Sequence, residues 1–173
     1  MTCTIERLDK SHQRHAFSCG KKELDDYLMR WVSQDVKRYA ANAFVLVEPP
    51  SKAVLGYYTL SATAVTLTDI PPAISAKMGK YSSVSATLLG RLAVDHARKG
   101  KGLGATLLLD AMLRTYGASS DAVASQALVV DALDEEAKSF YEKYSFIALN
   151  TNPMRLFIPM REIKSLLQKS GLI

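Results

Sequence analysis

The chain has 173 residues, 48% of them hydrophobic and 23% charged, with 22 Lys and Arg against 17 Asp and Glu. That is the size of one ordinary domain and enough to bury a core without covalent staples, so a single domain over residues 1–173 is expected. Two cysteines rule out a disulfide framework, "MTCTIERLDKSHQRH" holds no signal-peptide core, and no run of about 18 apolar residues offers a membrane span; a cytoplasmic protein is expected.

A short strand is predicted near Thr4 to Arg7. "SCGKKELDDYLMRWVSQDVKRY" then reads as an amphipathic helix behind Gly20, with Leu24, Leu28, Trp31 and Val32 on one apolar stripe, and Trp31 is expected in the core. "AFVLVEPPSKAVLGYYTLS" reads as a hairpin broken at Pro49-Pro50, its second strand running from Val54 to Leu60. "SATLLGRLAVD" is strand-like and leads into a glycine loop, which opens a helix from about Leu103 to Tyr116. "ALVVDAL" is a short buried strand, and Asp134 is placed to cap the helix "EEAKSFYEKY", whose leading acids suit the helix dipole. "MRLFIPM" is a last strand, and "REIKSLLQKSG" a last helix ending at Gly171. Strands that lead, a glycine loop joining strand to helix and a strand–helix–strand unit after it make an α/β chain.

Charge is unevenly spread. Residues 76–101 carry six basic side chains and one acidic, whereas residues 121–142 carry six acidic and one basic, a segregation that points to a face made for an anion. The glycine loop lies at the end of the basic stretch. Its glycines permit left-handed and close-approach backbone, and the helix behind it offers unpaired N–H groups and the positive end of a dipole. With Arg98, Lys99 and Lys101 on its rim, this is an arrangement for holding a phosphate or pyrophosphate. Two common phosphate loops are excluded. Gly100-Lys101 is followed by Gly102 and Leu103, with no Ser or Thr for magnesium, and Gly100, Gly102 and Gly104 lack the spacing of a dinucleotide fingerprint.

"LLGRLAVDHARKGKGLGATLLLDAM" resembles the acyl-CoA motif of the GNAT superfamily of N-acetyltransferases, Gln/Arg-x-x-Gly-x-Gly/Ala, with Lys99 at the first position. "DEEAKSFYEKYSF" resembles the second family signature, with Ser145 where glycine is common. "FSCGKKELDDYL", "GYYTLSATAV" and "RLFIPM" extend the likeness to the toxins of type II toxin–antitoxin modules, although "KMGKYSSVSATLLG" departs from their pattern. The resemblance implies an α/β (α+β) GNAT fold: a central mixed, mostly antiparallel twisted sheet flanked by helices. It implies acetyl-CoA as donor and no metal. Leu92, Ala93 and Val94 would pair with the pantetheine arm, and Lys99, Gly100, Lys101, Gly102, Leu103, Gly104 and Ala105 would cradle the pyrophosphate. Tyr141 would be the general acid toward the departing thiolate. The implied acceptor is the α-amino group of an aminoacyl-tRNA, with translation blocked. The implied partners are a ribbon–helix–helix antitoxin, DNA only through the antitoxin complex, and a second copy in a homodimer; no membrane is implied. A small-molecule amine or a protein N-terminus is the alternative acceptor.

An α-amine titrates near 8, and an adjacent ester lowers it, so it needs less help to become nucleophilic than a lysine near 10.4. Lys77, Lys80, Arg91 and Arg98 are candidates to hold tRNA phosphates, with Arg155, Arg161 and Lys164 behind them; each reads equally as a solvated charge, and Arg91 equally as half of a structural ion pair. Cys19 is expected to be packed rather than nucleophilic. His12 and His15, three apart with no third ligand, are expected at the surface.

Overall fold

The structure, a computed structural model, describes residues 2–173. A seven-stranded sheet in the order β1-β2-β3-β4-β5-β7-β6 is its frame. The chain divides into two compact units, residues 1–61 with 90–111 and residues 62–89 with 112–173, and strands β3 (Gly56–Thr66) and β4 (Ser83–Val94) pass through both.

In the first unit β1 (Thr4–Arg7), β2 (Asn42–Val47) and β3 form an antiparallel meander, registered at Ile5–Leu46 and Val45–Tyr57. Successive residues of a strand face opposite sides. Tyr57 therefore points one way, where its hydroxyl donates to Leu24 O (2.7 Å), and Tyr58 the other, where its hydroxyl donates to Asp110 Oδ2 of helix α4 (Leu103–Asp121). Both tyrosines are fully buried. Gly56 lets α4 lie close, since a Cβ there would come within 2.9 Å of Leu107 and 3.1 Å of the Ala93 carbonyl.

The long amphipathic helix of this unit is three pieces: α1 (Lys22–Asp26), a π-helical turn (Tyr27–Trp31) and α2 (Val32–Lys37). Within the π turn the Val32 N–H reaches back five residues to Tyr27 O. Leu28 and Val32 keep their places in a core with Phe17, Tyr27, Val45 and Tyr57, but the added residue swings Trp31 out to 53% exposure. The expectation that Trp31 is core is thereby corrected: a stripe counted at 3.6 residues per turn loses phase across a π turn.

In the second unit β4 pairs in parallel with β5 (Ala127–Asp131), β5 antiparallel with β7 (Arg155–Pro159), and β7 with the two-residue β6 (Ile147–Ala148). Val65, Ile70, Val84, Val129 and Phe157 fill its core. Helix α4 runs past the expected end at Tyr116 to Asp121. The Ser119 hydroxyl ties its last turn to the approach to β5, donating to Ser125 O (2.7 Å) and accepting from Ser125 N–H (2.6 Å). A short α3 (Pro72–Ser75), α5 (Glu135–Glu142) and α6 (Met160–Lys169) complete the unit. A mixed sheet flanked by helices is the fold class that the sequence implied. Among the described residues, no helix is long and apolar enough to cross a membrane.

Candidate functional site

The parallel ladder between β4 and β5 ends at Leu89–Val130, so residues 90–94 of β4 take no partner from β5. This is the stretch that contains Leu92, Ala93 and Val94. After Val94 the chain makes a turn organised by Asp95, which the sequence reading passed over although an Asp between strand and loop is a turn signal. Its Oδ1 accepts from Ala97 N–H (2.9 Å), its Oδ2 accepts from Ser18 N–H (3.1 Å), and its own N–H donates to Leu55 O (2.9 Å). The His96 N–H donates to Ser18 O (2.8 Å). The root of the glycine loop is thus pinned from three sides.

The loop itself is open. Gly100 and Gly102 both lie at φ +76°, and a Cβ at either would meet nothing within 4 Å. Left-handed backbone, rather than crowding, is what calls for glycine there. Helical bonding starts with Thr106 N–H to Gly102 O (3.1 Å), with the Thr106 hydroxyl on the same carbonyl (3.2 Å). The N–H groups of residues 103–105 therefore have no partner inside the helix, as at any helix start. Among the described residues, no other group takes the main-chain N–H of residues 100–105. No acidic residue occupies the first turn of α4, and Lys99 and Lys101 are exposed beside it. Unpaired donors, a dipole's positive end and exposed cations converge on one place, which suits an anion with several oxygens.

Tyr141 lies in α5, a helix closed at both ends by the protein's own groups. At its start Asp134 Oδ1 accepts from Ala137 N–H (2.9 Å), and Glu135 and Glu136 follow in the first turn. At its end Ser145 adopts φ +70°, its N–H donating to Glu142 O (3.2 Å), while Phe146 N–H donates to Tyr141 O (3.4 Å). That pair of bonds is a Schellman closure, and its usual apolar contact is present as the Phe146 and Tyr141 rings, 5.3 Å apart. Ser145 thus performs in left-handed conformation what glycine does at less strain. Tyr141 is 6% exposed, and burial alone pushes its phenol well above the usual tyrosine value, so it holds its proton at neutral pH.

The basic candidates fall in different settings. Arg91 lies 3.5 Å from the centroid of the Tyr27 ring, a cation–π contact rather than an expected ion pair with a carboxylate. Arg98 reaches Glu48 (3.6 Å), and Arg155 reaches Asp131 (3.7 Å) and Thr63 (3.4 Å). Lys77 and Arg161 come together on a cavity of about 480 Å³, whose walls include Ile74, Met78, Ser145 and Ile147. Lys80 and Lys164 are exposed.

Cys19 is buried, as expected, and its thiol is pushed up to about 11, first by burial and then by Asp25, which leaves it protonated and unreactive. The expected surface position of His12 is corrected. Its side chain is fully buried, Nδ1 accepts from Asp9 N–H (3.0 Å), and Nε2 lies 3.0 Å from Glu6 Oε2, which also takes Lys52 Nζ (2.6 Å). Glu6 and Asp9 are near in sequence, but the ring is closed over only by the turn that folds His12 back on β1, with Lys52 reaching the same Glu6 carboxylate from a distant loop.

Residues 76–162 match the family described as acetyltransferase (GNAT) domain. The tRNA-acetylating toxin of Mycobacterium tuberculosis (strain ATCC 25618 / H37Rv) is 32% identical over 161 residues, spanning 93% of this chain and 94% of its own length. Among solved structures, a tyrosine-to-phenylalanine variant of KacT superposes with a TM-score of 0.90 at 32% identity, covering 96% of this chain and 99% of that one. AtaT complexed with acetyl-methionyl-tRNAfMet gives 0.89 at 34% identity over the same shares. A variant of AtaT bound to acetyl-CoA and to the C-terminus of the antitoxin AtaR gives 0.82 at 32% identity, covering 95% and 98%.

Proposed function

Because this chain belongs to the GNAT acetyltransferases, we propose that it moves the acetyl group of acetyl-CoA onto the α-amino group of an aminoacyl-tRNA and thereby arrests translation. A small ribbon–helix–helix antitoxin neutralises it, the antitoxin complex is what contacts DNA, and the active protein is a homodimer. All 173 residues serve as one acetyltransferase domain.

The observation that carries this reading is the glycine loop. Six consecutive N–H groups without a main-chain acceptor, beside Lys99 and Lys101, fit the oxygens of a pyrophosphate. Acetyl-CoA, when bound, supplies an acetyl group activated as a thioester. Residues Lys99 through Ala105 hold its pyrophosphate, and the β5-facing edge at Leu92, Ala93 and Val94 offers main-chain groups to the pantetheine arm. The acceptor amine, once neutral, attacks the thioester carbonyl, the C–N bond forming as the C–S bond breaks; the proton the nitrogen sheds passes to water, and its low starting pKa makes a strong protein base unnecessary. Tyr141 carries the proton that meets the departing thiolate; burial keeps that proton in place, so loss of activity from its ionisation is expected only above pH ~10. Lys77, Lys80, Arg91 and Arg98 contact the tRNA backbone, which makes acceptor binding weaken steeply with salt. Support for this acceptor comes from the likeness to the tRNA-acetylating toxin and to AtaT solved with acetyl-methionyl-tRNAfMet.

The test is incubation with acetyl-labelled acetyl-CoA and, in parallel, charged tRNA, uncharged tRNA and a panel of small amines and peptides. Label is expected on the aminoacyl group of charged tRNA and absent from uncharged tRNA. Label only on a small amine or a peptide N-terminus would move the protein to another branch of its family.

A further inference from the structure

Trp31 is the only tryptophan in the chain, and the π turn places it outside a core that its apolar spacing would have it join. π turns are uncommon and recur at functional sites, so what this one presents to solvent is informative. From Trp31 onward, Gln34 and Arg38 follow at positions three and seven on, one helical face, with Arg30 and Lys37 flanking them; all five are exposed. The one carboxylate in this stretch, Asp35, instead accepts the Tyr27 hydroxyl (2.9 Å). The face combines an aromatic plate, a side-chain amide and three cations, and the other acid near them, Asp26 beside Arg30, already takes the Lys22 ammonium. A protein-binding helix face would want an apolar stripe, whereas beside Trp31 only Met29 is a large exposed apolar residue between Lys22 and Arg38. From Trp31 to Arg38 the helix rises about 10 Å, roughly three stacked nucleotides at about 3.4 Å per step.

We propose that this face is a stacking platform for single-stranded RNA, and specifically for the unpaired 3′ nucleotides of the tRNA acceptor. Trp31 stacks on a base, Gln34 hydrogen-bonds base edges, and Arg30, Lys37 and Arg38 meet the phosphates. On its inner side the same turn provides the Tyr27 ring that holds Arg91, so one local distortion positions groups on both sides of the helix. The identity of the RNA rests on the acceptor proposed above; the stacking face rests on its own geometry.

A lone tryptophan makes the test direct. The emission of Trp31 in the full-length protein is followed while intact tRNA, the same tRNA lacking its last three nucleotides, and a short unstructured oligonucleotide are added. Saturable quenching is expected with intact tRNA and the oligonucleotide, and at least fivefold weaker binding with the trimmed tRNA. In acetylation assays Trp31→Ala is expected to raise KM for charged tRNA about 10-fold, with kcat and KM for acetyl-CoA within twofold, and Trp31→Phe to recover most of the loss. Circular dichroism and thermal unfolding of both variants are expected to match the parent, because the side chain is exposed. Unchanged emission, equal response to trimmed and intact tRNA, or an unchanged KM in Trp31→Ala overturns the platform while leaving tRNA acetylation standing. So does emission that responds only to an antitoxin peptide. If no tRNA is acetylated but the oligonucleotide still quenches Trp31, the acceptor reading fails and the stacking face survives.

Discussion

Two helix starts in this protein obey the same physics and end in opposite states. Helix α5 is sealed: Asp134 takes the Ala137 N–H, and Glu135 and Glu136 complement the dipole. Helix α4 starts from Gly102 with no acid in its first turn, cations beside it, and a run of N–H groups that the described main chain does not satisfy. The sealed start holds a buried tyrosine in place, whereas the open start awaits an anion that the chain does not supply. A left-handed residue alone does not separate the two, since Ser145 at the end of α5 has φ +70° and Gly102 φ +76°. What separates them is where the neighbouring N–H groups go: into carbonyls at Ser145 and Phe146, to no main-chain acceptor around Gly102.

The largest effect is expected at Tyr141. Tyr141→Phe removes only a hydroxyl from the sealed helix, and kcat for acetyl transfer should fall about 100- to 1,000-fold, the usual range for losing a general acid, with acetyl-CoA affinity within twofold in a binding titration. Transfer at the parental rate would remove the general-acid role. At the open start, Gly102→Asp should weaken acetyl-CoA binding about 100-fold, because it places a carboxylate among donors meant for phosphate. Gly102→Ala suffers the same left-handed strain without the charge, so calorimetry should find its loss roughly 10-fold smaller; equal losses would show that strain alone is at work.

Smaller changes sharpen the contrast. Asp134→Ala removes the cap of the sealed start and should cost about 1 kcal/mol in denaturant unfolding, leaving acetyl-CoA affinity untouched. A matching drop in affinity would mean that the two starts are not independent. Ser145→Gly relieves left-handed strain of about 1 kcal/mol but adds unfolded-state freedom, so a net gain near 0.5 kcal/mol, read as a rise of about 1–2 °C in Tm, is expected with activity retained. A lower Tm would show that the Ser145 side chain contributes more than its backbone geometry costs.

Much of the fold was legible because its signals are local. The alternation of β4, the Asp134 cap and the glycines before α4 each act within a few residues, and each is found where its spacing places it. The short α3 and the two-residue β6 were not read because neither is long enough to show a period, and the turn at Asp95, though it carries a local signal, takes its anchors from Ser18 and Leu55, distant in the chain. Within the candidate site, the residue types of the loop were readable, but the end of the β5 ladder at Leu89 and the Schellman closure around Tyr141 required the backbone itself.

By itself, then, the amino-acid order determined which segments become strand, helix and anion-seeking loop, because backbone preference, capping and side-chain periodicity are short-range. Tertiary structure decided the phase of the N-terminal helix, and with it the exposure of Trp31, the burial of His12 and the seat of Arg91 on Tyr27. Those outcomes follow from packing against Tyr57 and from hydrogen bonds to Glu6 and Asp9, and a single extra residue in one helical turn is enough to reassign a whole face.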